Sequence, residues 1–144
     1  MDVSEGNENE LEKVAEWFYW LHTEYEITLF KCGYDDRFSK SFLNKMDEYN
    51  FETEMIVQSK KVLTNATKLV ERELHSKLIH GLNDVDKWCL GNSAIEVNKY
   101  DQCQVVKMDS QPEKKIDGAV TLVMLYEMFR RYKSEFLAQF DVGS

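Results

Sequence analysis

Apolar residues recur every three to four positions in several parts of the chain, which is the spacing of a helix that buries one face. The stripe is longest near the carboxyl end, where it runs from Ile116 to Phe140. Near the amino end the stripe is bordered by Trp17 and Trp20. The third predicted helix has Thr64 or Asn65 as its expected N-cap. The pattern predicts helices at residues 9–25, 37–49, 64–77 and 116–140.

Two segments rich in β-branched and aromatic residues, 27–34 and 51–58, alternate with these helices and predict strands. Strands that alternate with helices are expected to pair in parallel through crossover connections. Residues 94–108 carry two apolar runs around a turn-like segment at 98–103, which predicts a β-hairpin. The sequence therefore predicts an α/β fold with flanking helices and a hairpin.

Length and composition restrict the class of protein. The chain has 144 residues, of which 43% are hydrophobic, so residues 9–144 are predicted to form a single domain after a polar, disordered tail at 1–8. No run of 18 apolar residues occurs and the amino end is acidic, which predicts a soluble, cytoplasmic protein without a membrane partner. The net charge of −8 means that any contact with nucleic acid must come from local basic groups.

The cysteines and tryptophans are predicted to serve packing. Cys32, Cys89 and Cys103 are widely spaced and form no Cys-x-x-Cys pair, which is typical of reduced, buried thiols. The three tryptophans, at positions 17, 20 and 88, are expected in the core or in helix packing. Stacking on nucleic acid would require an exposed basic face, which the sequence pattern does not indicate.

Acidic residues at the ends of two predicted elements are the candidates for chemistry. Asp35 and Asp36 follow the first strand, and Asp117 lies in the first turn of the last helix. Taken alone, Asp117 is most simply a helix cap worth about 0.5 to 2 kcal/mol, and Asp36 a turn residue or N-cap. If the carboxylates converge, they instead suit Mg²⁺ or Mn²⁺, which prefer oxygen ligands. Spacing by itself leaves both interpretations open.

Six short motifs occur in order between about residue 11 and residue 130. They include Lys-Trp-Cys-Leu-Gly-Asn at 87–92 and Lys-Ile-Asp-Gly-Ala-Val at 115–120. The others stand at 14–17, at 33–35, at 51–54 with Gln58, and at 64–71. Together they resemble the carboxyl-terminal nuclease part of the large terminase subunit of tailed phages.

The resemblance implies a ribonuclease-H-like, resolvase-like fold in which an acidic cluster binds two divalent metals, Mg²⁺ or Mn²⁺, and cuts concatemeric double-stranded DNA during packaging. Asp35 matches the family's acid at the end of the central strand, and Asp117 matches its last acid. Both are therefore expected to be catalytic metal ligands. Asp36 stands where the family commonly has another polar residue, so the ligand role does not extend to it.

Basic residues around the expected site are candidates for DNA contact. The resemblance places the hairpin at 94–108 beside DNA, and His80 falls near a polar turn that follows the third helix. The basic pairs close to the site add further candidates for binding phosphate. The expected DNA-binding residues are Lys60, Lys61, Lys107, Lys115 and His80.

The sequence also departs from the family pattern. It contains no Gly-x-x-x-x-Gly-Lys-Ser/Thr phosphate-binding loop, and no acid at a strand end precedes residue 9 to match the family's first catalytic Asp. The expectation is a partial sheet that lacks the family's first strands. Such a chain would cleave DNA weakly or not at all by itself. Its expected partners are the remainder of a phage or prophage large subunit, other packaging proteins, or a second copy that covers the sheet edges. The alternative is a non-catalytic interaction module that binds a packaging or other protein.

Overall fold

The computed structural model describes residues 7–37 and 40–141, which divide into two compact units, one up to Ile56 and one from Val57. Of the tail predicted at residues 1–8, residues 1–6 lie outside the described part, and the first helix begins at Asn7. The arrangement of residues 9–144 as one domain stays a prediction. No helix among the described residues is long and apolar enough to cross a membrane.

The first unit alternates helices with two short parallel strands. Ala15, Phe42 and Met46 form its buried centre, where the first helix packs against the second. Cys32 of the first strand lies opposite Thr53 of the second. This unit contains α1 (Asn7–Tyr25), β1 (Cys32–Tyr34), α2 (Lys40–Glu48) and β2 (Thr53–Met55).

The parallel pairing in the first unit confirms the expected order, but both strands are shorter than predicted. Residues 27–34 and 51–58 were predicted, whereas three residues pair in each strand. β-branched and aromatic side chains only favour extended backbone. The length of a strand depends on the partner that its N–H and C=O groups meet.

The second unit packs a hairpin and a short helix around two long helices. Helix α3 contacts both α5 and β4, and α4 contacts α5. Its core draws on the apolar faces of α3 and α5, including Leu63, Val70 and Val123. This unit contains α3 (Lys60–His75), α4 (Asp84–Gly91), β3 (Ser93–Val97), β4 (Cys103–Lys107) and α5 (Asp117–Ala138).

The hairpin prediction is confirmed. Strands β3 and β4 pair antiparallel, with Ser93 opposite Lys107 and Val97 opposite Cys103. In the turn, the side-chain oxygen of Asn98 accepts hydrogen bonds from the backbone N–H groups of residues 100 and 102, at 2.9 and 3.0 Å. The last helix is confirmed as well, with non-helical angles at Tyr132 (φ −120°, ψ 15°) inside it.

The N-cap prediction for α3 is wrong. Ser59 caps this helix by accepting the N–H of Val62 at 3.3 Å, and it precedes the predicted cap Thr64 by five residues. Thr64 holds the hairpin instead, because its hydroxyl oxygen accepts the N–H of the buried Cys103 at 3.0 Å. Helix α4 was not predicted, since its two turns are too short for apolar periodicity. Its local signal is the reciprocal capping of Asn83 and Asp86.

The packing prediction holds for the cysteines, whereas a core position is wrong for the tryptophans. Cys89 and Cys103 are buried, and Cys32 is partly buried. By contrast, Trp17 is 53% exposed, and Trp20 and Trp88 are each 46% exposed, so none lies in the core. Amphipathic spacing identifies the apolar side of a helix, but it does not tell whether neighbouring elements cover the border of that side.

Replacing Thr64 with Val should lower the free energy of unfolding by about 1–3 kcal/mol, because the N–H of Cys103 loses its acceptor in a buried place. Thr67→Val is the matched control. The Thr67 hydroxyl donates to the carbonyl of Leu63 at 2.7 Å, and that carbonyl keeps its helical N–H partner. Urea denaturation measures both variants, and an equal cost for the two would contradict the role given to Thr64.

Tyr126 predicts a loss of stability at high pH. Burial, followed by the hydrogen bond and the charge of Glu73, raises the pKa of this phenol from 10.0 to about 12. The folded state therefore holds the phenolic proton more tightly than the unfolded state does. The contribution of Tyr126 to the free energy of unfolding is thus complete below pH 10.0 and is lost as the pH rises to about 12. The difference in unfolding free energy between the native chain and Tyr126→Phe should shrink over this interval. Parallel pH curves for the two proteins would refute the assignment.

Candidate metal and DNA site

Asp35 follows directly after β1 in the first unit, where its carboxylate is held by the turn that comes next. One carboxylate oxygen accepts the backbone N–H of Arg37 at 2.8 Å, and the Arg37 guanidinium lies 3.5 Å from the other. The side chain remains 27% exposed. Asp35 is thus oriented by its own backbone and stays accessible from solvent.

Asp36 lies in the same turn and is exposed. The turn interpretation of this residue is therefore confirmed. Residues 38–39, between the turn and α2, lie outside the described part of the chain, so a capping role for Asp36 has no support here. Unlike Asp35, which is bonded to Arg37, Asp36 makes no hydrogen bond or ion pair with another described residue.

Asp117 is the first residue of α5, and the interpretation of its side chain as a cap is wrong. Ile116 occupies the N-cap position with φ −126° and ψ 10°, and no side-chain cap hydrogen bond forms there. Asp117 is exposed and sits in the first helical turn, where the positive end of the helix dipole favours a negative charge. The structure presents this carboxylate to solvent.

Asn92 determines where α5 begins. This buried residue, 8% exposed, ends α4 by donating its backbone N–H to the carbonyls of residues 88 and 89. Its own carbonyl accepts the N–H of Met108 at the end of the hairpin at 2.8 Å. Its side-chain amide donates to the carbonyl of Lys115 at 3.0 Å. Asn92 therefore ties α4, the hairpin and the segment before Asp117 to one point.

Gly118 lets α4 approach the first turn of α5 closely. A Cβ at this position would lie 3.0 Å from a carboxylate oxygen of Asp86 and 3.3 Å from both Cβ and Sγ of Cys89. These distances are shorter than ordinary van der Waals contact. A side chain next to Asp117 would therefore push the Asp86 and Cys89 side chains of α4 away from the first turn of α5.

A groove of about 560 Å³ opens between α4 and α5 and reaches Asp117. We call it the α4–α5 groove. Most of its lining is apolar, and its polar groups are grouped near the start of α5. It is lined by Leu82, Val85, Asp86, Trp88, Cys89, Lys115, Asp117, Gly118, Thr121, Leu122 and Leu125.

The oxygen chemistry of Asp35 and Asp117 fits Mg²⁺ or Mn²⁺, since both side chains are accessible carboxylates. Asp35 belongs to the first unit and Asp117 to the second, and their joint role stays a prediction. No group of three or more His, Cys, Asp or Glu side chains suited to a metal ion occurs within the described residues. Mg²⁺ often binds through one or two carboxylates together with substrate phosphates.

The basic candidates lie at different places in the second unit. Lys60 is ion-paired with Glu96 of the hairpin, so its charge is already engaged. Lys61 and His80 are exposed, and Lys107 is exposed at the end of β4. Lys115 is exposed and lines the α4–α5 groove beside Asp117, which makes it the best placed of the five. Contact of any of them with DNA stays a prediction.

Apart from Lys115 and Asp117, the residues that shape the groove were not selected by sequence reasoning as parts of a site. Asn92 and Gly118 were noted only within the motifs at 87–92 and 115–120, and Trp88 was expected to serve packing. A Gly-Asn pair after a short apolar run is a signal for a helix end. The groove itself depends on how two helices separated along the chain meet.

A family model for the terminase large subunit, endonuclease domain, matches residues 2–133. No curated protein and no solved structure matches the chain significantly. The matched range includes both candidate acids, the hairpin and most of α5. The chain therefore belongs to the endonuclease-domain family of the terminase large subunit.

Proposed function

We propose that this chain contributes Asp35 and Asp117 to a two-metal Mg²⁺ or Mn²⁺ site that cuts concatemeric double-stranded DNA during phage DNA packaging. Membership in the endonuclease-domain family supports the reaction class. The observation that carries the proposal is the exposed carboxylate of Asp117 at the start of α5, which makes no capping hydrogen bond. The side-chain amide of Asn92 fixes the chain just before it by donating to the carbonyl of Lys115. The proposed sheet is the ribonuclease-H-like one implied by the sequence motifs.

Each residue has a defined task in this proposal. Bound divalent ions would polarise the scissile phosphate and activate the attacking water. Asp35 and Asp117 bind and orient the ions, and the backbone of Arg37 keeps the Asp35 carboxylate fixed. Lys115, exposed beside Asp117, binds a phosphate of the DNA backbone.

We expect weak cleavage by this chain alone. Two carboxylates bind a hard cation weakly, because affinity rises with the number and charge of the ligands. The partners in this proposal are double-stranded DNA, the remainder of the large subunit and other packaging proteins, in the host cytoplasm. Self-association through an uncovered sheet edge belongs to the same proposal.

Calorimetric titration with Mn²⁺ should show saturable binding. Asp35→Asn and Asp117→Asn should each weaken this binding at least about tenfold, because one charged ligand is lost. The two losses should be non-additive in the double variant if both residues hold the same ions. Asp36→Asn, a neighbouring exposed acid, is the matched control and should bind normally. Mn²⁺ binding that neither Asp35→Asn nor Asp117→Asn weakens would contradict the metal site and favour the non-catalytic interaction module.

Asn92→Ala should weaken Mn²⁺ binding about tenfold, because the carbonyl of Lys115 loses the donor that fixes the chain before Asp117. Loss of stability alone would not produce this effect. Thr64→Val is the control, since it is expected to destabilise the same unit by a similar amount and to leave Mn²⁺ affinity unchanged. Equal Mn²⁺ affinities for Asn92→Ala and the native chain would show that Asn92 only stabilises the fold.

A further inference from the structure

We propose that the α4–α5 groove holds one unpaired base of the DNA strand beside the phosphate that is cut, with the base stacked on the indole of Trp88. This inference rests on the proposed nuclease function, since it names a substrate contact of the same site. It assigns a role to a side chain that neither the metal site nor the core uses.

The shape and lining of the groove suit a nucleotide. A volume of about 560 Å³ lies within the range of roughly 300–1,000 Å³ that small-molecule sites occupy. Leu122 and Leu125 of α5 line it together with Trp88 and Val85 of α4. Both Val85 and Leu125 are more than 60% exposed, so their apolar surface is available to a ligand. Such a lining matches the flat apolar faces of a base.

The polar end of the groove suits the phosphate of the same nucleotide. Lys115 supplies a cation there, and Asp117 supplies the proposed metal ligand. The Asp86 carboxylate is engaged with α4, because one of its oxygens accepts the N–H of Asn83 at 3.3 Å. An apolar region that ends in a cation and a metal ligand is complementary to a base joined to a phosphate.

The position of Asp117 argues against a protein segment as the occupant. A protein chain packed along the apolar lining would cover Asp117 and Lys115, which the metal and the DNA must reach. A base inserted from the bound strand leaves both groups in contact with its own phosphate. The nucleotide is therefore the occupant that is compatible with the proposed site.

Tryptophan fluorescence tests the contact directly. A variant with Trp17→Phe and Trp20→Phe leaves Trp88 as the only emitter. Its emission should be quenched by a labelled short DNA duplex that carries one unpaired nucleotide, with Ca²⁺ in place of Mg²⁺ or Mn²⁺ so that a hard cation is present while cleavage is prevented. The fully paired duplex should quench less, since its bases must first leave the stack. Unchanged Trp88 emission with both duplexes would overturn the base site.

Binding affinities of matched variants test the energetic role. Trp88→Ala should bind the duplex with the unpaired nucleotide about 5- to 100-fold more weakly, the range expected for one lost base–aromatic stack, and Trp88→Phe should restore most of the affinity. Trp20→Ala is the control, since Trp20 has the same exposed fraction, 46%, and lies on α1. Equal losses for Trp88→Ala and Trp20→Ala would contradict the inference.

Lys115→Gln separates the phosphate contact from the base contact. It should weaken binding of paired and unpaired DNA alike and reduce the salt dependence of affinity by about one ion. If the protein binds Mn²⁺ through Asp35 and Asp117 but DNA does not quench Trp88, the base site is overturned and the nuclease proposal stands. A quenched Trp88 without Mn²⁺ binding at Asp35 and Asp117 would support the base site and contradict the nuclease proposal.

Discussion

The amide of Asn92 is the constraint on which the second unit depends. One buried side chain and its own backbone connect the end of α4, the end of the hairpin and the carbonyl of Lys115. A buried amide that lost these partners would carry the full cost of desolvation, so the three segments are held in one arrangement. The start of α5 follows from this arrangement, and with it the position of Asp117. Gly118 completes the junction by allowing α4 to lie against the first helical turn.

Helix α5 serves different purposes along its length. Its first turn presents an exposed acid, and its middle packs against α3 through residues such as Val123. Glu127 is fully buried, and its carboxylate is compensated by Arg130, whose Nε lies 2.8 Å away. A buried charge is tolerated only with such a partner. The packed middle anchors the helix whose first turn carries Asp117.

Local charge matters more than net charge in this protein. With a net charge of −8, the protein as a whole repels DNA, so any contact with DNA must come from local groups. The charge of Lys60 is paired with Glu96, whereas Lys115 is exposed beside Asp117. In the proposed base site, the apolar lining of the α4–α5 groove would add affinity that does not depend on charge. Acidic composition and DNA processing are compatible on these terms.

The sequence by itself determined what depends on neighbouring residues: the long final helix, the hairpin, the parallel order of the first unit and the motifs that placed the chain in its family. Periodicity and turn chemistry are local, so they survive without knowledge of the fold. The tertiary structure decided the rest. Thr64 was expected to cap a helix and instead holds Cys103, and Trp88 was expected in the core or in helix packing and is half-exposed beside a groove. Asp117 was a possible cap, but Ile116 takes the N-cap position and Asp117 is exposed in the first turn. These outcomes depend on which distant residues meet each side chain, and local spacing carries no information about that.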